Sequence, residues 1–78
     1  MQSPTGSITI AQTGKYWIYA TPWYNTSGNW TLKQGSTVLY NGTNAWYNGI
    51  RNVSANTVIS LIANSQCTVI QAFRIGAS

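Results

Sequence analysis

The side chains able to do covalent or acid–base chemistry are few in this 78-residue chain: Lys15, Lys33 and a single cysteine, Cys67, with no aspartate, glutamate or histidine anywhere. General acid–base catalysis draws mainly on the three missing residue types. Cys67 has no partner base of the kind that activates a thiol nucleophile. Lys15 and Lys33 sit in polar segments without an obvious desolvating pocket. No zinc or calcium ligand set can be assembled, and one cysteine cannot form an intrachain disulfide. The expectation is a protein that is not an enzyme and carries no cofactor and no metal.

Recognition and packing remain. Trp23, Tyr24, Trp46 and Tyr47 lie among asparagine- and glycine-rich turns. Exposed rings flanked by amides can stack on sugar rings while the amides bind hydroxyls. The same four rings can equally pack over the ends of a barrel or in a seam between copies. The cations Lys15, Lys33, Arg51 and Arg74 are spread along the chain with no cluster in sequence. Nucleic-acid binders concentrate charge on one face, and Lys15-Tyr16-Trp17 is the nearest approach to an interleaved basic and aromatic strand. No apolar run reaches 18 residues, so no membrane helix is expected. The sequons at Asn25, Asn29, Asn41 and Asn52 read as chance matches in an Asn/Ser/Thr-rich chain.

Elements must hold these groups, and the periodicity is that of strands throughout. The stretch 53–61 organises the rest. A turn at Ser54, Ala55 and Asn56 feeds a strand with Ile59 and Leu61 on one face and Val58 and Ile62 on the other. A strand with one wet face alternates apolar with polar residues. This one is apolar on both faces, and 78 residues supply little chain to cover two. Part of the cover is therefore expected from another copy of the chain.

Strands are also expected at 7–12, 15–21, 30–33, 36–40 and 67–75, with Tyr16, Ile18 and Ala20 on one face and Trp17 and Tyr19 on the other. Trp30, Leu32 and Val38 read as core residues. Gln34-Gly35, Asn41-Gly42 and Asn48-Gly49 read as turns. Residues 1–6 read as an extended arm (Gln2, Ser3, Pro4 and Thr5 as possible docking residues), 7–76 as one β domain and 77–78 as a tail. The sum is about seven short strands and no helical period, the pattern of a small sandwich or barrel.

In their order, these segments resemble a known family. Gly14-Lys15-Tyr16-Trp17-Ile18 resembles the Gly-x-Tyr-x-Ile/Phe strand of TNF-like jelly rolls, the fold of complement globular heads. Residues 30–38 resemble their Leu-x-x-Asn-Gly-x-x-Val hairpin. Residues 53–61 resemble the Val-x-Ala-Gly-Asp-x-Ile-x-Leu segment, with Ala55-Asn56 in place of Gly-Asp, and 71–75 the closing strand. The resemblance is closest to the short bacterial and phage version found on virion fibres, capsid decorations and spore-surface collagen-like proteins. It implies an all-β, compact antiparallel jelly-roll-like sandwich, shortened by one or two outer strands, and a homotrimer. It implies nothing catalytic.

Together these readings give one leading expectation: a non-enzymatic trimeric structural module at the surface of a particle. A phage virion protein, either capsid decoration or fibre tip, is its leading form. Trp17, Tyr19 and Val58 would form the trimer interface, and a viral capsid or fibre protein would be the partner. A carbohydrate-binding or adhesive module at the cell surface or outside the cell, with a glycan partner, is one alternative. A small barrel that binds single-stranded nucleic acid is another. The missing carboxylates and histidines also predict folding that is insensitive to acid.

Overall fold

A computed structural model describes residues 3–22, 29–63 and 69–77, and all of the regular structure among them is strand. The strands are β1 (Ser3–Thr9), β2 (Gly14–Thr21), β3 (Trp30–Gln34), β4 (Thr37–Gly42), β5 (Tyr47–Val53), β6 (Val58–Ala63) and β7 (Val69–Gly76). They form two antiparallel sheets, a four-stranded one in the order β1-β6-β3-β4 and a three-stranded one in the order β5-β2-β7. The expected all-β architecture of about seven strands is therefore present.

The core is where period-two patterning says it should be. In β2, Tyr16, Ile18 and Ala20 are buried while Trp17 and Tyr19 are half-exposed. In β6, Ile59, Leu61 and Ala63 are buried and Val58 is exposed. Ile18, Trp30, Leu32, Ile59 and Leu61 are sealed from solvent between the sheets. Each such side chain contributes about 1.5–3 kcal/mol by leaving water.

Two short connections lace the sheets together at one end. Ile10 N donates to Thr57 O (2.8 Å) and Asn56 N donates to Ile10 O (2.6 Å). Asn56 turns the chain with φ at 70°, a left-handed conformation that asparagine tolerates better than most residues. Gly35 (φ 61°) opens the two-residue β3–β4 turn, as hairpin chemistry requires.

Several expectations need correction. The paired backbone begins at Ser3, opposite Ala63, and Pro4 lies opposite Ile62. Ser3, Pro4 and Thr5 thus belong to an edge strand, where a proline costs no ladder bond, and not to a free arm. Gln2 lies outside the described residues. Val38 is 54% exposed. The two-residue turn pairs Val38 with Lys33, which faces out. A bulge follows, since Leu32 pairs with Tyr40, and its extra residue, Leu39, brings Tyr40 inward so that Leu39 and Tyr40 both pack on the core.

Neither Asn41-Gly42 nor Asn48-Gly49 is a turn. Both lie in edge strands, Gly42 opposite Trp30 and Gly49 opposite Ile18. In each case the tyrosine two residues earlier lies over the glycine. A Cβ on Gly49 would meet the Tyr47 hydroxyl at 2.8 Å, and one on Gly42 would collide with the Tyr40 hydroxyl. A ring covering a bare glycine is a known way to keep it in a strand.

Candidate functional site

Residues directly opposite in an antiparallel pair share a face. Around β2 this fixes the outer surface of the three-stranded sheet. One rung reads Ile50–Trp17–Phe73 and the next Asn48–Tyr19–Gln71. Ile50 is 59% and Phe73 53% exposed, large values for apolar side chains, one on each edge strand of the sheet. The rings form a continuous strip. Trp17 lies 5.9 Å from Tyr19 and 5.8 Å from Phe73, with interplanar angles of 16° and 23°. Trp46, itself 53% exposed, extends the strip with its centroid 6.4 Å from Tyr19.

The core positions Trp46. Trp30 Nε1 donates to Asn44 O, and Asn44 N donates to the Tyr40 hydroxyl, both at 2.7 Å. Thr21 Oγ1 donates to Ala45 O at 2.7 Å. Three bonds from strand residues thus clamp the β4–β5 loop and set Trp46 beside Tyr19.

The other residues singled out from sequence divide. Tyr47 lies opposite Ala20, packs partly buried against the core and approaches Tyr40 at 6.4 Å, so it is apart from the outer strip. Trp23, Tyr24 and Cys67 fall outside the described residues. Val58 is 41% exposed, but it pairs with Thr9 on the outer face of the other sheet. Trp17 and Tyr19 therefore share a face with each other and not with Val58. One seam can hold all three only if unlike faces of neighbouring copies meet. Ile50 and Phe73 were not anticipated as site residues. The available signal was that each lies two residues from an amide, Ile50 from Asn48 and Phe73 from Gln71, and so shares a strand face with a polar side chain.

That second outer face carries Ser7, Thr9, Thr31, Lys33 and Ser60, with Val38 and Val58 exposed among them. The aromatic face includes one cation, Lys15, at its end. No buried side-chain nitrogen or oxygen lacks a partner among the described residues. Comparisons with protein-family models, with curated proteins and with solved structures return no match to this chain.

Proposed function

We propose that the chain is a non-enzymatic, self-assembling structural module of a particle surface, a shortened TNF-like jelly roll that forms a homotrimer through the outer face of β5-β2-β7. Its leading form is a phage virion protein, a capsid decoration or a fibre tip. The single observation that carries this reading is the exposed Ile50–Trp17–Phe73 rung, continued by Tyr19 and Trp46.

The accessible surface, 4690 Å², is close to the ~4,700 Å² expected of a monomeric globule of this mass. What is unusual is the quality of one face. A trimer subunit makes two contacts of about 800 Å² each, roughly a third of that surface, which one face and its rim can supply only with help from a second, unlike face. The exposed Val58 side of the molecule is a candidate for that second contact.

The winding also supports the reading. β3·β4, β2·β5 and β1·β6 are nested antiparallel pairs, as if one long hairpin with its tip at Gly35 had been folded over into two sheets. A jelly roll is wound from Greek keys in this manner. In a full one, β7 would next pair with a strand ahead of β1, the outer strand whose loss the resemblance implies.

One observation favours a second reading, a neutral-glycan platform: Tyr19 is flanked across both ladders by the exposed amides of Asn48 and Gln71. One experiment separates the two. Native mass spectrometry of the purified chain is expected to show a trimer, and Ile50→Ser with Phe73→Ser a monomer whose thermal unfolding is little changed. A wild-type monomer that gains adducts with a neutral hexasaccharide would replace assembly by glycan binding.

A further inference from the structure

The four cations, scattered in sequence, converge in the fold. Lys15 is the second residue of β2 and Lys33 the second from last of β3, while Arg51 and Arg74 are each third from the end of β5 and β7. Antiparallel pairing brings all of these ends together. Arg51 and Arg74 both lie opposite Tyr16, one on each side of β2, and Lys15 lies opposite Asn52 and Gly76. The end of β3 joins them through Gln34, which donates from Nε2 to Asn52 O (3.0 Å) and accepts from Arg51 Nε (3.4 Å).

The molecule is 37 Å long and only 19 × 18 Å across. Three or four strands ~4.8 Å apart in sheets ~10 Å apart account for the short dimensions, so the long axis runs along the strands. Every side-chain positive charge of an acid-free chain thus sits toward one pole of an elongated body.

We infer that this pole, formed by Lys15, Lys33, Arg51 and Arg74, is the docking surface for a carboxylate-rich protein surface. The inference rests on the reading of the chain as a particle-surface module and names which end of it faces the particle. Each guanidinium is tethered through Nε, Arg51 to Gln34 Oε1 and Arg74 to Thr13 O (3.3 Å), which leaves its terminal nitrogens for a partner. That is the presentation an arginine uses to grip a carboxylate with two parallel bonds.

Phosphate groups suit the same fork, but single-stranded nucleic-acid sites set stacking rings among their cations. Here the ring between Arg51 and Arg74 is Tyr16, which is buried and donates its hydroxyl to Gln12 O (2.6 Å). The exposed rings climb the sheet away from the pole, from Trp17 through Tyr19 to Trp46. In a cyclic trimer whose axis follows the strands, three copies place all twelve cations at one pole, a field strong enough to steer docking onto an acidic surface.

The test is isothermal titration of the chain with poly-L-glutamate, with an oligo-dT strand and with phosphatidylserine vesicles run alongside. Poly-L-glutamate is expected to bind, and at least about tenfold more weakly when NaCl rises from about 20 to about 200 mM. Arg51→Gln with Arg74→Gln is expected to weaken binding about tenfold, and adding Thr43→Lys at the opposite pole is expected not to restore it. If that double variant melts in circular dichroism, Lys33→Gln replaces it, with weaker binding again expected. The inference fails if poly-L-glutamate does not bind at low salt, if Thr43→Lys restores the affinity, or if oligo-dT or the vesicles bind more tightly. Native mass spectrometry of the same samples separates the two proposals. A trimer that ignores poly-L-glutamate sinks the docking pole alone, and a monomer that binds it sinks the assembly alone.

Discussion

Trp30 joins the core to the candidate site. Its ring is fully buried and lies 4.8 Å from Tyr40, while its indole nitrogen holds Asn44 O in the loop that carries Trp46. Trp30→Phe keeps an aromatic ring but removes the donor and some volume. The expected cost is about 2–4 kcal/mol, read as a lower midpoint in urea. An unchanged midpoint would mean that the loop is held by Thr21 and Tyr40 without it. At this scale the sequence was partly legible. Trp30 stood out as a core residue from its alternation with Thr31 and Lys33. Its hold on Asn44, fourteen residues on, is a tertiary fact that no local pattern carries.

Strand β6 shows how far element patterning reaches. Residues on opposite faces of one strand are expected to differ sharply on mutation. Leu61→Ala should cost about 2–5 kcal/mol and leave a cavity, whereas Val58→Ala should change the stability of the isolated subunit by no more than about 0.5 kcal/mol. Chemical denaturation of both variants checks this, and similar losses would place Val58 in a core of its own. The faces of β2 and β6 were readable because no extra residue interrupts the period of two within either strand. Val38 was misjudged because its face is set by the turn that pairs it with Lys33, and the bulge that brings Tyr40 inward beyond it leaves no reliable mark in composition. Asn41-Gly42 and Asn48-Gly49 misled because turn chemistry is a local preference that a paired edge strand and a covering tyrosine override. The repeated Tyr-Asn-Gly at 40–42 and 47–49 was the signal to weigh against it.

Over the whole molecule, charge and its placement matter most. With no Asp, Glu or His, no side chain takes up protons between neutral and strongly acid pH in either the folded or the unfolded chain. The slope of stability with pH follows the difference in protons bound by the two states, so it should be near zero over that range. Urea midpoints at pH 7 and pH 3 are expected to agree closely, and a large fall at pH 3 would contradict this. The sequence disclosed the number of charges but not the pole at which they gather, because that follows from strand direction and pairing order alone. The same pairing governs how the protein ages. Asn-Gly peptides deamidate when the glycine nitrogen can swing onto the asparagine side chain, and the extended ladders of β4 and β5 oppose that swing. Each event that fraying allows would add one acidic side chain to a chain that starts with none. A stored sample therefore records its own local opening as a ladder of species, each one positive charge poorer than the last.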